Sequence, residues 1–280
     1  MKKRSMLPRR LVNSVALVAS SISAFIGIFF LVWILFEILA RGFSAINWAF
    51  FTELPLPPGE AGGGLANAML GTVIITVLAM IMGVPLGILA GTYLSEFGHG
   101  RFAGVTRFLS GIFGSAPAIV IGIFVYAIIV VPMKSFSGLA GAVSLAILML
   151  PVITRTTEEM LKLVPSGLRE AALALGAPYW HMVVQVVYRG ARAGMLTGII
   201  LAVARVSGET APLLFTSLNS PYWPSGILRP MPNLTVTIFN YAMSPYDDWQ
   251  MKAWGASFII AFSVLVMNII ARFLVHRMEK

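Results

Sequence analysis

Six long apolar runs constrain the fold of this chain more than any other feature of its sequence. They cover roughly residues 14–40, 66–93, 108–131, 138–156, 194–218 and 253–275. A helix needs about 20 apolar residues to cross the hydrocarbon core of a bilayer. Because backbone N–H and C=O groups must be paired inside lipid, a single helix is the simplest structure for each run. We therefore expect an all-α integral membrane protein with six transmembrane helices.

The composition agrees with a membrane protein and argues against a soluble one. Only 11% of the residues are charged and the mean hydropathy is +0.87, whereas soluble domains have about 25% charged residues. The net charge of +9 is also a property of nucleic-acid-binding proteins. Here, however, the basic residues lie between the apolar runs, as the positive-inside rule requires. We predict a lipid bilayer as the surroundings and no nucleic-acid partner.

The distribution of Lys and Arg predicts that both termini are cytoplasmic. With the N-terminus inside, the inner segments hold Lys2, Lys3, Arg4, Arg9, Arg10, Arg101, Arg107, Arg155, Lys162, Arg169, Arg189, Arg192, Arg272, Arg277 and Lys280. The outer segments then hold Arg41, Lys134, Arg229 and Lys252, and Arg205 lies inside a span. The first apolar run is longer than the core of a signal peptide, so we expect an uncleaved first helix.

Several motifs of enzymes and metal sites are missing from the sequence. It contains no Cys, no G-x-x-x-x-G-K-[ST] loop for ATP phosphates and no H-E-x-x-H zinc motif. It also lacks a G-x-S-x-G nucleophile elbow. His99, His181 and His276 are far apart in the chain. We therefore expect a protein that is not an enzyme, and that binds neither a metal nor a cofactor itself.

Two charged residues interrupt the fifth apolar run, in the stretch "ILAVARVSGETAPLLF" at 200–215. Arg205 and Glu209 are four residues apart and share one face of a continuous helix, so they can form an ion pair. Ser207 and Thr210 add hydroxyl groups nearby. Charges at the centre of a bilayer are costly and usually face a bundle interior or an aqueous path.

Two interpretations of this pair remain open. One is a structural ion pair that fixes helix packing. The other is a polar element of a solute path, in which Arg205 attracts an oxyanion, since its planar fork can bind two oxygens at once. Glu209 would then neutralise Arg205 at rest and hold or gate the anion.

A helix break is expected just beyond the charged pair. Pro212 lacks an N–H donor and clashes with the carbonyl of Gly208, four residues earlier. The helix should therefore kink or end within 208–212. Backbone groups freed by such a break are tolerated at membrane depth where they line water or protein. The break can serve gating, or it can be a plain packing kink.

The longest cytoplasmic loop, residues 156–193, is predicted to be helical in part. The piece "SGLREAALALG" at 166–176 consists largely of good helix formers. Pro165 precedes it, Ser166 is a candidate N-cap, and Gly176 with Pro178 ends it. We expect a short helix on the cytoplasmic face, followed by a second helix that runs towards the fifth span.

The short loop helix resembles the EAA loop of the membrane subunits of ABC importers. Glu170, Ala171, Ala172 and Gly176 match the family pattern of E-A-A, three residues and Gly. The resemblance implies that this helix sits in a groove of a cytoplasmic ATPase and transmits the closure of that ATPase. Small Ala side chains suit a close approach, and Arg169 with Glu170 are our candidates for polar contacts to the ATPase.

Two further segments resemble the phosphate-specific permeases among these importers. Residues 197–218 contain the G-E-T-A-P-L-L core of the fifth-span signature, and residues 233–245, "NLTVTIFNYAMSP", resemble the matching external segment. The resemblance implies the type I, MetI-like permease architecture for residues 66–275, with the coupling loop at 156–193. Residues 14–65 would form the first helix with an external loop. The ends, 1–13 and 276–280, would be cytoplasmic tails.

The resemblance implies a function and a set of partners. The chain would be a permease subunit of an ATP-driven importer of inorganic phosphate in a bacterial or archaeal plasma membrane. Its partners would be a homologous second permease subunit, two ATPase subunits that bind ATP and Mg²⁺, and an extracytoplasmic phosphate-binding protein. Alternatives are a permease for another oxyanion, a proton-coupled transporter in which Glu209 titrates, and a membrane scaffold.

Overall fold

A computed structural model describes residues 7–60 and 62–278 of the chain. Within these ranges the protein is helical and contains no strand. The predicted cytoplasmic tails at 1–13 and 276–280 include Lys2, Lys3, Arg4 and Lys280, which lie outside the described residues. The side chains of Arg9, Arg10 and His276 are likewise not described.

Eleven helices follow one another along the described chain. They are α1 Leu7–Ser44, α2 Trp48–Thr52, α3 Ala66–Glu96, α4 Arg101–Ser115, α5 Ala118–Met133, α6 Gly138–Lys162, α7 Ser166–Ala174, α8 Tyr179–Ser207, α9 Ala211–Thr216, α10 Leu234–Ala242 and α11 Asp247–Met278. Helices α5 and α8 each contain one π-helical turn, at Tyr126–Val130 and Val183–Val187. In the described chain, α1, α3, α6, α8 and α11 are long and apolar enough to cross a membrane, and α4 with α5 can form a sixth span.

The predicted third span, 108–131, is not one straight helix. Helices α4 and α5 meet at an angle of 107°. Ala116 has extended backbone angles, and Pro117 follows it as the residue before α5. A residue before proline is pushed out of the helical region by the proline ring. The span is therefore broken or re-entrant. A count of apolar residues does not detect this effect.

The centre of the protein is formed by α3 and α6, which pack closely along their length. Small residues make this approach possible. A Cβ added at Gly91 would lie 2.6 Å from the carbonyl oxygen of Thr154. One at Gly87 would lie 2.7 Å from the side chain of Ile153. Helix α8 packs on the other side of α6, where Ala202 is fully buried.

The helix that contains the fifth apolar run differs from the predicted span at both ends. The predicted span was 194–218, whereas α8 begins at Tyr179 and ends at Ser207. The expected second loop helix is therefore the first part of the span itself. The expected break is present, because a new helix, α9, starts at Ala211.

We call the end of the bundle at which α7 lies the α7 end. Helices α3 and α6 end there, and α4 and α8 begin there.

The prediction of Ser166 as the N-cap of α7 is wrong. Pro165 precedes the helix, Ser166 is its first residue, and no side chain caps it. Proline has a fixed φ that suits the entry to a helix, so the preceding Pro165 sets the start of α7 without a hydroxyl cap.

The opposite end of the bundle is covered by loops and two short helices. Helix α2 is capped by Asn47, whose side chain accepts a hydrogen bond from the Phe50 N–H at 2.8 Å. Helix α10 lies within the predicted external segment 233–245 and packs against α11 and α3. Its residues Leu234 and Val236 are buried. By the positive-inside prediction this end faces the outside.

Candidate functional site: a basic cavity beside a broken helix

The break after α8 is formed by main-chain turns. The N–H of Glu209 donates to the carbonyl oxygen of Val206 at 3.1 Å, and Gly208 is the residue at which α8 stops. The Ser207 hydroxyl donates to the carbonyl of Val203 at 2.8 Å, within the same helix. Thr210 precedes α9, and no side chain caps that helix. The hydroxyl hydrogen of Ser207 is thus used within its own helix.

Helix α9 is held tightly by its neighbours. A Cβ added at Gly122 of α5 would lie 2.6 Å from the Cα of Pro212. The Thr216 hydroxyl donates to the carbonyl of Pro212 at 2.7 Å and lies 3.5 Å from the Ser144 hydroxyl of α6. Gly122 is therefore required for the close packing of the broken segment on α5.

Arg205 and Glu209 do not form the predicted ion pair in the described structure. The shared helical face assumed a continuous helix, but α8 ends at Ser207, between the two residues. The carbonyl of Glu209 instead accepts a hydrogen bond at 3.0 Å from the hydroxyl of Thr235 in α10. Arg205 is exposed. The break thus leaves the guanidinium available to another group.

Arg205 lies on the wall of a cavity of about 650 Å³. The cavity lies between α3, α4, α6 and α8. Its lining consists of Leu94, Arg107, Ser110, Gly111, Gly114, Ser115, Pro151, Val152, Thr154, Arg155, Glu158, Glu159, Lys162 and Arg205. Glu209, Ser207 and Thr210 are not among the lining residues. Of the four predicted path residues, the cavity therefore includes Arg205.

Basic side chains outnumber acidic ones on the wall of this cavity. Glu158 is nearly buried, and one of its oxygens accepts hydrogen bonds from Arg107 at 2.9 Å and Lys162 at 2.6 Å. Arg155 pairs with Glu159 at 2.9 Å. Arg205 has no ion-pair partner among the described residues. The cavity therefore has a positive balance, and Arg205 contributes a charge that no carboxylate in the described part of the chain neutralises.

Sequence reasoning missed Arg107, Glu158 and Lys162 as parts of this site. All three lie near the ends of apolar runs, where charged residues usually only mark the membrane surface. Glu158 and Lys162 are four residues apart on α6, so their pairing was detectable from spacing. The approach of Arg107 from α4 depends on the bend between α4 and α5, which a count of apolar residues does not detect.

The short helix α7 is fastened to the bundle by a buried carboxylate. One oxygen of Glu96, at the end of α3, accepts a hydrogen bond from Arg169 at 2.7 Å. The other accepts from the Tyr179 hydroxyl at 2.9 Å. The Glu96 side chain is 1% exposed. Arg169, predicted to contact a partner, is thus directed inwards, and its second terminal nitrogen donates to the carbonyl of Leu161 at 2.6 Å.

The rest of α7 presents a surface to the outside of the bundle. Glu170 and Ala171 are exposed, while Ala172 packs on the bundle. Gly176 has φ of +83°, a left-handed conformation that favours glycine and ends the helix turn. Leu175 is 89% exposed. These exposed residues form a small, partly apolar face at the α7 end.

A second cavity, of about 550 Å³, lies at the opposite end of the bundle. The Pro-rich segment 54–58, Asn67 and Tyr222 line it, together with Tyr241 and Trp249, whose rings stack at 4.3 Å. Burial raises the pKa of Tyr241 to about 12. Its hydroxyl is protonated at physiological pH, as a tyrosine hydroxyl ordinarily is, and can act as a hydrogen-bond donor.

The fold is that of the membrane subunits of ABC importers. A chain of the MetNI methionine ABC transporter in inward-facing conformations superposes with a TM-score of 0.59 at 20% identity, over 77% of this chain and 94% of that one. A chain of a bacterial alginate ABC transporter, solved with an alginate-bound periplasmic protein, gives a TM-score of 0.66 at 13% identity over 99% of both chains. These likenesses show that the chain shares the multi-helix membrane fold of these ABC transporter chains.

Sequence comparison identifies the family within this class. Residues 83–280 match the family described as binding-protein-dependent transport system inner membrane component. The phosphate transport system permease protein PstA of Yersinia pestis is 51% identical over 94% of this chain and 90% of its own length. That of Xylella fastidiosa strain 9a5c is 47% identical over 96% and 94%. The chain belongs to the PstA family of phosphate transport system permease proteins.

Proposed function

We propose that this chain forms one half of the membrane path of an ATP-driven importer of inorganic phosphate. The observation that supports this most is the position of Arg205, exposed on the wall of a cavity of about 650 Å³ with more basic than acidic residues. A positively charged, partly enclosed site attracts anions. A planar guanidinium can bind two phosphate oxygens at once.

The proposal assigns different roles to the two predicted charges. Arg205 attracts the anion as it moves between the outer loops and the cavity. Glu209 lies beyond the helix break, near α10, where its charge would hinder the escape of phosphate towards the outside. Gly208 and Pro212 allow α8 and α9 to change their mutual angle, with Thr210 at the joint. A homologous second permease subunit, of the PstC type, would supply the other wall of the path.

Energy would come from partners rather than from this chain. Two ATPase subunits, of the PstB type, would bind ATP and Mg²⁺ in the cytoplasm, and this chain would bind no cofactor. One of them would dock on the exposed face of α7, with Glu170 and Ala171 in contact. The anchor of Arg169 on Glu96 would pass its movement to α3. A phosphate-binding protein, of the PstS type, would dock at the opposite end, in the bacterial plasma membrane.

Phosphate uptake into vesicles that contain the reconstituted importer tests the role of Arg205. Loss of a charge-assisted contact of about 1.5–3 kcal/mol should slow uptake by Arg205→Ala about ten- to a hundredfold. Arg205→Lys should keep part of the activity. Arg272→Ala removes the same charge from an exposed position on α11 and should leave uptake unchanged. Normal uptake by Arg205→Ala would contradict the assignment.

The same vesicles separate this proposal from proton-coupled transport. Uptake should depend on ATP enclosed on the cytoplasmic side and should persist with a protonophore. Uptake that stops with the protonophore, yet continues without ATP, would support a secondary transporter instead.

The docking face on α7 is tested by Glu170→Lys. This variant should remain in the membrane but should retain much less ATPase when the subunit is purified. Ser166→Lys adds a charge on the same helix outside the E-A-A segment and serves as the control. ATPase retained at the original level by Glu170→Lys would argue against the contact.

A further inference from the structure

Helices α1 and α11 enclose an apolar groove on the outside of the bundle. They touch near the end of α1, where a Cβ added at Gly42 would lie 2.8 Å from the carbonyl oxygen of Trp254. Closer to the N-terminus, residues 12–36 of α1 are all exposed. Beside this contact lies a groove of about 320 Å³, lined by Phe30, Trp33 and Ile34 of the exposed segment together with Glu37 and Trp254.

One end of the groove carries two opposite charges. Glu37 accepts a hydrogen bond from the Nε of Arg41 at 2.7 Å, and the Arg41 guanidinium lies 5.3 Å from the centre of the Trp254 ring. The second carboxylate oxygen of Glu37 and the terminal nitrogens of Arg41 have no hydrogen-bond partner in the part of the chain that the structure describes. The pair therefore retains one free acceptor and several free donors.

The polarity of the groove matches that of a phospholipid in the outer leaflet. The positive-inside prediction places Arg41 outside, so the charges lie towards the outer surface and the apolar wall towards the bilayer centre. Trp33 and Trp254 are of the residue type enriched at the membrane interface. A headgroup can thus sit at Glu37 and Arg41 while an acyl chain runs inward past Ile34 and Phe30.

We propose that this groove binds one phospholipid whose headgroup carries both a phosphate and a primary ammonium group. Arg41 would bind the phosphate, and the free oxygen of Glu37 would accept a hydrogen bond from the ammonium. An anionic headgroup with no ammonium suits the site less well, because Glu37 repels it and cancels the charge of Arg41. Glu37, which the phosphate path does not use, thereby acquires a role in lipid recognition.

Native mass spectrometry of the full-length protein, purified with the subunits that copurify with it, tests this site. After delipidation, the protein is given phosphatidylethanolamine or phosphatidylglycerol with identical acyl chains. Phosphatidylethanolamine should be retained about tenfold better, as expected for one additional charge-assisted hydrogen bond. Glu37→Gln should abolish or reverse this preference.

A matched pair of variants tests the apolar part of the groove. Ile34→Trp should fill the groove and lower retention of the bound lipid. Ile28→Trp makes the same change at another exposed position of α1 and should leave retention unchanged. Equal retention of both lipids by the unmodified protein, or a headgroup preference that survives Glu37→Gln, would overturn the proposal. So would a crosslink from Ile34→Cys to another subunit, because the groove would then be a protein interface.

Discussion

Two combinations of Arg and Glu, one near each end of α8, differ in whether they form an ion pair. Arg205 and Glu209 are four residues apart, yet they form no ion pair within the described structure, because the helix ends between them. Arg169 and Glu96 are 73 residues apart and pair at 2.7 Å, with Glu96 1% exposed. Close spacing predicts a pair only while the helix continues, whereas a distant pair can form wherever packing brings two helix ends together.

The functional consequences of the two combinations are also opposite. The buried pair fastens α7 to α3 and leaves no charge to bind a ligand. Because the helix ends between Arg205 and Glu209, Arg205 is exposed to a cavity and Glu209 lies near α10. We infer that the first combination transmits force and that the second handles the anion.

The strongest expected effect is the loss of the buried anchor. Glu96→Ala removes both the Arg169 and the Tyr179 contacts and leaves a partly buried arginine without its partner. Removal of one member of a buried ion pair costs about 3–5 kcal/mol. The unfolding temperature should therefore fall clearly, and α7 should become sensitive to protease.

Glu159→Ala is the matched control for the anchor. Glu159 forms an exposed pair with Arg155, and exposed pairs of this kind contribute little to stability. A loss of stability as large as that of Glu96→Ala would show that burial is not what distinguishes the two pairs.

A smaller effect is expected from the close contact of α5 with the broken segment. Gly122→Ala introduces a Cβ that would lie 2.6 Å from the Cα of Pro212. Overpacking of this kind costs about 1–3 kcal/mol. Thermal unfolding should detect the loss, whereas Gly104→Ala, in open space on α4, should be neutral or slightly stabilising. Equal behaviour of the two variants would mean that α5 adjusts without strain.

The smallest expected effect concerns the pair that does not form. Glu209→Gln should change the free energy of unfolding by less than about 0.5 kcal/mol, as for a substitution without a partner. Chemical unfolding in detergent is a suitable measurement. A much greater loss, absent when Glu209→Gln is introduced into the Arg205→Ala variant, would reveal an ion pair between the two residues.

The sequence predicted the membrane fold well, because apolar length and the placement of basic residues depend directly on the bilayer. Sequence motifs also located the family, the helix break at 208–212 and the loop helix. The bend at Pro117, the inward direction of Arg169 and the cavity around Glu158 were missed. The bend has a local cause in Pro117, which a count of apolar residues does not detect. The other two features depend on contacts between residues distant in the chain, and no local periodicity encodes such contacts.

The central claim is that Arg205 acts on the anion itself rather than by pairing with Glu209. The most direct test is the charge exchange Arg205→Glu with Glu209→Arg, measured as ATP-dependent phosphate uptake into vesicles. The account predicts that the double variant is as inactive as Arg205→Glu alone, because the positive charge has left the cavity. Recovery of uptake by the exchange would contradict it and show that the two residues serve only as a pair.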